Sequence, residues 1–240
     1  MSSKPYLIGI DVGGTFTDLL AFDEAHRKLL SAKVPSLPGE QWRGVLEALA
    51  ELEIEAGDIR AFVHGTTIAT NALLERKGAR TALVTTKGFR DALEIGKGRR
   101  LIGGLFDTQW QRPAPLVPRD FRYEIDERMD ARGNAIRNAD DDEYDLLARL
   151  LRDQGVEALA IAFVNSYVNA QSEDRAACAL RQRLPELPIC ESADLIPERG
   201  EFERTSTCVL NAYLTPVMRG YLSTLTEQLE EGGISAPINI

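Results

Sequence analysis

Two β-rich runs joined by a glycine pair open this chain, and they limit its folds more than any other feature. Tyr6 to Ile10 is an extended apolar run that stops at Asp11-Val12-Gly13-Gly14-Thr15, and a second run follows from Phe16 to Phe22. Apolar segments on both sides of a Gly-Gly turn predict an antiparallel hairpin. The turn signal Asp23-Glu24 predicts a short third strand over Lys28–Lys33. From Glu40 to Leu52 the rhythm changes: Trp42, Val45, Leu46, Leu49 and Leu52 recur at helical spacing. Strands and helices then alternate. Strands are predicted over residues 60–63, 79–85, 158–164 and 188–191, and helices over 66–77, 88–95, 140–154 and 171–184. A smaller pair of strands, 122–127 and 135–136, flanks the turn Asp130-Ala131-Arg132-Gly133. A long helix from about Gly200 to Glu231 contains Pro216, which removes a backbone donor and predicts a bend. Residues 236–240 read as the first half of another strand, so more sequence is expected to follow. The pattern is α/β with a mixed sheet, and the opening hairpin separates it from a purely parallel doubly wound fold.

Composition serves mainly to exclude. The chain has 240 residues, 44% hydrophobic and 27% charged, enough to bury a core and too apolar for wholesale disorder. Its 28 Lys and Arg against 37 Asp and Glu leave a net charge of −9, which argues against unspecific adhesion to nucleic acid or anionic lipid. The longest apolar stretch, Ala158–Val164, is far short of the roughly 20 residues of a membrane span. No signal-peptide pattern opens the chain. Cys178, Cys190 and Cys208 form no CxxC pair, and an odd number suits a reducing compartment. The expectation is a cytoplasmic protein with neither nucleic acid nor membrane as partner.

Three segments carry chemistry. The first is Asp11-Val12-Gly13-Gly14-Thr15-Phe16-Thr17-Asp18. Glycines permit positive φ and close ligand approach, so backbone N–H groups can converge on an anion. Thr15 and Thr17 add hydroxyls, while Asp11 and Asp18 together suit a hydrated Mg²⁺. No GK[ST] follows, so this is not a Walker loop. The alternative is a plain hairpin turn whose aspartates cap backbone groups. The second segment is His64-Gly65-Thr66-Thr67-Ile68-Ala69-Thr70-Asn71. On a helix Thr66, Thr67, Thr70 and Asn71 share an arc of ~140°, an uncharged polar stripe suited to a pocket wall near a helix N-terminus. The plain reading is a Thr N-cap with neighbouring threonines. His64 is either a proton donor or ligand, or a hydrogen-bonded structural histidine. The only other histidine is His26, so no His-rich metal site exists. The third segment, Gly96-Lys97-Gly98-Arg99-Arg100 with Arg112, concentrates positive charge as an anion clamp would, or is a solvated loop. Glu198, Glu201 and Glu203 with Arg199 and Arg204 read as a charged helix start.

These motifs resemble the hydantoinase A / 5-oxoprolinase family. The resemblance rests on Ile8–Asp18, on His64-Gly65-Thr66-Thr67 with Thr70–Gly78, on Thr85–Asp91, on Pro115–Arg119, and on Arg204–Thr207 with Asn211–Leu214. It implies an actin/hexokinase/Hsp70-like (ribonuclease H-like) ATPase lobe. It also implies that residues 1–240 are the N-terminal lobe of a longer protein, with a core over about 5–95 and 140–240, an insertion over about 96–138, and the C-terminal lobe absent. The implied activity is ATP-dependent opening of a cyclic amide, a hydantoin or 5-oxoproline, through phosphorylation of the amide oxygen. Related subunits activate ketones for carboxylation, and a small-molecule kinase or a non-catalytic partner-binding lobe are the alternatives. The implied cofactors are ATP and Mg²⁺, and the implied partner is a second subunit. Asp11, Gly13, Gly14, Thr15, Thr17 and Asp18 would form the phosphate loop, with Asp11 and Asp18 at the metal. Asp11 and His64 would be catalytic, and Thr66, Thr67, Thr70 and Asn71 would line the substrate cleft. Half of the nucleotide cleft being absent, the isolated chain is expected to be inactive. The sequence departs from the family after Ile95, where Gly96–Arg100 and Arg112-Pro113 replace a shorter basic segment.

Overall fold

The computed structural model describes residues 5–37, 39–97, 109 and 113–240. These fall into two compact units, Met1–Lys77 with Val217–Ile240, and Gly78–Pro216.

The first unit is built on β1 (Tyr6–Val12), β2 (Phe16–Asp23) and β3 (Lys28–Pro35), then α1 (Gln41–Glu51), β4 (Ile59–Thr66) and α2 (Ile68–Leu74). The predicted hairpin is present: β1 and β2 pair antiparallel from Tyr6↔Asp23 to Val12↔Thr17, and β3 continues the meander. β4 lies parallel to β1 on its other side. Alternation decides what each face does. Ile8, Ile10, Val12, Leu19, Ala21, Ala32 and Val34 point to one side, where they pack against Val45, Ala48 and Leu49 of α1 and Tyr221, Leu225 and Leu229 near the chain's end. The other face carries Asp11 and Asp18 together with exposed Phe16, Leu20, Phe22, Leu29 and Val63.

In the second unit β5 (Thr81–Thr86) is followed by the one-turn α3 (Ala92–Ile95), β6 (Arg122–Ile125), and the small hairpin β7 (Arg128–Met129) and β8 (Ala135–Arg137). Then come α4 (Asp141–Asp153), β9 (Ala158–Ala162), α5 (Gln171–Arg183), β10 (Ile189–Glu191) and the four-residue α6 (Ser192–Leu195). The sheet order is β10-β9-β5-β6, and every pair is parallel. β5 and β9 are buried at every residue. That burial accounts for the continuous apolar run of β9, because helices cover both faces of a parallel sheet; the buried hydroxyls of Thr81 and Thr85 in β5 are spent on the Ala79 and Ala162 carbonyls. Tyr144, Leu147 and Leu151 of α4 and Ala176, Ala177 and Leu180 of α5 cover one face. Cys208, Val209 and Ala212 pack on the other. These three belong to α7 (Glu201–Glu231), which continues through Pro216, and β11 (Ile238–Asn239) then pairs with β4. Asp140 caps α4 by accepting a hydrogen bond from the Glu143 amide at 3.0 Å.

Two expectations change here. β6, read from the sequence as part of an inserted hairpin, is a strand of the second sheet, in register Leu83↔Arg122. The helix expected from Thr66 begins at Ile68, because Thr66 still pairs with Val12 in β4. Among the described residues no helix is long and apolar enough to cross a membrane.

Candidate functional site

The ends of β1 and β4 and the turn after β1 converge on one patch of the first unit. The turn Gly13-Gly14-Thr15 is closed by the Gly13 amide donating to the Phe16 carbonyl at 3.0 Å. Neither Gly13 nor Gly14 adopts positive φ, so conformational freedom is not what these positions require. Space is. A Cβ on Gly13 would lie 3.0 Å from the Phe16 carbonyl oxygen, and one on Gly14 would lie 3.3 Å from Asn71 Nδ2. Asn71 belongs to α2, and its amide reaches back to Thr67 Oγ1 at 3.3 Å. The Thr67 amide donates to the Val12 carbonyl at 3.3 Å, which ties the start of α2 to the end of β1.

Asp11 is exposed on the open face, beside the end of β4 at Gly65, in register Asp11↔Gly65. A Cβ at Gly65 would sit 3.6 Å from Asp11 Oδ1, so the missing side chain leaves that carboxylate lateral room. Asp11 has no hydrogen-bond or ion-pair partner among the described residues. On its other side stands Asp18, directly opposite across the β1–β2 ladder. Like charges in that position repel. Lys33, opposite Asp18 on β3, relieves this by donating to Asp18 Oδ1 at 2.8 Å and Oδ2 at 3.0 Å. Of the two carboxylates read as a metal pair, one is therefore free and the other is already neutralised. Mg²⁺ takes one or two carboxylates and keeps several waters, so Asp11 with its open flank fits such an ion and Asp18 fits it poorly. Among the described residues no three His, Cys, Asp or Glu side chains gather around a common point.

Two expected site residues face elsewhere. Thr17 is fully buried, on the opposite face of β2 from Asp18, and its hydroxyl pairs with Ser36 Oγ at 2.9 Å. His64 pairs with Ile10, one residue from the Asp11↔Gly65 rung, so it enters the core side. There Nε2 lies 2.8 Å from the Tyr221 hydroxyl, and the ring is 3% exposed. Burial lowers its pKa, opposed by the Ile10 backbone and the Asp11 charge, and burial likewise raises that of Tyr221. Burial thus favours the neutral imidazole, and which of Nε2 and the phenol donates follows from the tautomer. Strand alternation turns His64 to the core face, away from the open face that carries Asp11. Thr66 Oγ1 accepts from the Ile68 amide at 3.2 Å and so starts α2 from the strand. The polar stripe on α2 is consequently Thr67, Thr70 and Asn71, with Thr67 and Thr70 exposed.

Gly98–Arg100 and Arg112 lie outside the described residues. Lys97, at the near edge of that segment, pairs with Glu203. The Glu198–Arg204 segment is more than a charged helix start. Arg204 is 1% exposed and joined to Ser166, to Ser192 Oγ at 2.8 Å, to the Phe163 carbonyl at 2.5 Å and to Glu201 at 2.6 Å. The same serines donate to Glu173, at 2.7 Å each, and Glu173 is fully buried. A second buried carboxylate, Glu127, contacts Thr86, and burial raises its pKa. Sequence reading missed this network, and an acidic residue in the first turn of a helix gives no signal of burial. Arg119 and Asp91, both within the motifs singled out in the sequence, form a two-pronged ion pair at 2.9 and 3.1 Å.

The chain is similar to several known proteins. A family model described as the hydantoinase/oxoprolinase N-terminal region matches residues 7–184. An uncharacterized protein of Methanocaldococcus jannaschii is 37% identical over 96% of this chain and 34% of its own length. The caprolactamase subunit alpha of Pseudomonas jessenii is 35% identical over 99% of this chain and 35% of its own length. The crystal structure of that ATP-dependent caprolactamase superposes with a TM-score of 0.86, covering 96% of this chain and 34% of that one. A nucleotide-free structure of acetone carboxylase, 26% identical, gives 0.82 over 94% of this chain and 34% of that one. This chain spans about a third of the length of these relatives.

Proposed function

As the chain belongs to the hydantoinase/oxoprolinase family, we propose that it is the N-terminal lobe of a longer ATP-dependent hydrolase that opens cyclic amides. Its first unit would be the actin/hexokinase/Hsp70-like half of a nucleotide cleft whose C-terminal lobe lies outside these residues. The observation that carries this reading is the turn Gly13–Thr15 beside an exposed Asp11 with no partner among the described residues, on a sheet ordered β11-β4-β1-β2-β3. Support comes also from a relative named as an ATP-dependent caprolactamase.

ATP bound there would supply the phosphoryl group that turns the oxygen of an unreactive lactam into a leaving group. The chain's own contribution is to hold charge in place, which is most of what phosphoryl-transfer sites do. Backbone N–H groups of Gly14 and Thr15 would face the phosphates, the Gly13 amide being spent on the Phe16 carbonyl that closes the turn. Asp11 would hold the Mg²⁺, with Gly65 leaving room for its waters. Lys33 neutralises Asp18 and so lowers the repulsion a phosphate would meet there. Thr67, Thr70 and Asn71 would line the adjoining wall. No residue described here is assigned as general base. A second subunit is part of the proposal, since the caprolactamase relative is named as a subunit. The likeness to acetone carboxylase supports a second reading, a subunit that activates a ketone for carboxylation.

The test is phosphate release from ATP by the assembled enzyme, offered hydantoin, 5-oxoproline and caprolactam in one series and ketones with bicarbonate in another. Release stimulated by a lactam together with the ring-opened amino acid supports the reading. Stimulation only by ketone and bicarbonate selects the second reading, and phosphate appearing on the substrate as a stable ester would indicate a kinase.

A further inference from the structure

The turn that would meet phosphate is held from behind by buried residues. Its strand β2 pairs with β3 up to the rung Phe16↔Pro35, where proline has no N–H to give the ladder. The last rung before the turn is therefore completed by the next residue. The Ser36 amide donates to the Thr15 carbonyl at 2.9 Å, and Ser36 Oγ pairs with Thr17 Oγ1, also at 2.9 Å. Thr17 is fully buried and Ser36 is 8% exposed, so water does not replace the hydroxyl pair.

Helix α1 closes over this pair at Gly44, a buried position in its first half. Glycine inside a helix costs about 1 kcal/mol relative to alanine, and the structure gives the reason for it. A Cβ at Gly44 would lie 2.8 Å from Thr17 Oγ1, 3.3 Å from Thr17 Cβ and 3.6 Å from the Pro35 carbonyl oxygen. The first of these is closer than atoms in contact tolerate, and the atom approached sits on a short β-branched side chain with little freedom to move aside. We infer that Thr17, Ser36 and Gly44 form a latch that sets the conformation of the Gly13–Thr15 turn, and that they are positioning residues of the phosphate site without touching ligand. The inference rests on the phosphate reading of that turn and assigns Thr17 the opposite of its expected role. Its hydroxyl is spent inward.

The experiment uses the ¹⁵N-labelled 240-residue chain, with Mg²⁺ tripolyphosphate as the probe and the amides of Gly13, Gly14 and Thr15 as the readout. Those amides should shift in the unaltered chain. Thr17→Val, equal in shape but without the hydroxyl, should weaken the probe's apparent affinity by about three- to tenfold, the equivalent of one hydrogen bond. Thr17→Ser, which keeps the hydroxyl, should restore it. Gly44→Ala should behave as Thr17→Val does; should it fail to fold, the Val/Ser pair still decides. All variants are measured well below their melting temperatures. Thr17→Val and Gly44→Ala chains that bind the probe like the unaltered chain, and only melt earlier, would overturn the latch. Turn amides that ignore even millimolar probe in the unaltered chain would instead overturn the phosphate reading itself, since half a cleft implies weak binding and not its absence.

Discussion

Replacing Glu173 by Gln removes one charge and leaves the side chain's volume nearly unchanged, and it should cost the second unit about 3–5 kcal/mol. Glu173 is fully buried and accepts from the Phe163 amide at 2.7 Å, from Ser166 and Ser192 at 2.7 Å each, and from the Ala193 amide at 2.8 Å. Arg204 approaches it to 3.8 Å and donates to the same two serines. Each serine thus accepts from the guanidinium and donates to the carboxylate, which carries the ion pair through hydroxyls. A Gln amide supplies one acceptor where the carboxylate supplied two. Its NH₂ group does least harm at the Oε2 position, but there it meets the Ala193 N–H donor to donor. Losing a hydrogen bond to a charged group removes about 1.5–3 kcal/mol, and a buried unsatisfied donor costs about 1–3 more. The sum agrees with the 3–5 kcal/mol typical of breaking a buried pair by changing one partner. Glu201, 2.6 Å from Arg204, keeps the guanidinium partly compensated and sets the estimate toward the lower end. Urea denaturation read by hydrogen exchange in β9 peptides is the assay. With m near 2 kcal/mol/M, the midpoint should fall by about 1.5–2.5 M. A loss below about 1 kcal/mol would refute the reasoning, because it would mean the four donors are satisfied without the charge.

Four further outcomes follow from the geometry. Burial lowers the His64 pKa, so the unfolded chain binds that proton first as pH falls, and stability should decline below about pH 6.5; the His64 ring resonances should titrate below that value, and titration above it would remove the neutral-imidazole assignment. Asp11→Asn should abolish the Mg²⁺ dependence of polyphosphate-induced shifts at the Gly13–Thr15 amides, whereas Asp18→Asn should change it little because Lys33 already occupies that carboxylate; equal effects would reinstate the pair. Gly78→Ala would place a Cβ 2.1–2.4 Å from three ring atoms of Tyr213 and should cost about 1–3 kcal/mol, visible as a lower melting temperature; an unchanged melting temperature would show that the ring yields freely. The 240-residue chain alone should neither hydrolyse ATP measurably nor bind it tightly, and a submicromolar affinity in calorimetry would contradict the half-cleft proposal.

The order of strands and helices was legible wherever one period dominated. The apolar run of β9, the amphipathic helix after residue 140 and the Gly-Gly turn each carry a local signal strong enough to be read alone. Facing was not legible. β2 presents Leu19 and Ala21 to the core but Phe16, Leu20 and Phe22 to the open side, so both of its alternating sets are apolar and neither announces itself as interior. The assignments of Thr17 and His64 depended on that choice, and both came out on the core side.

Residue type therefore determined the elements, the turn, and the chemistry on offer: carboxylates, small residues and hydroxyls around the end of β1. Tertiary structure decided which of those groups meet. Strand pairing set the register that opposes Asp11 to Asp18 and gives Asp18 to Lys33. Packing brought Glu173 to Arg204 through two serines from separate segments, and Gly44 onto Thr17. The physical reason is one of range. Propensity and period act within a few residues, whereas the partner of a buried polar group, and the face a strand turns inward, exist only once distant segments have docked.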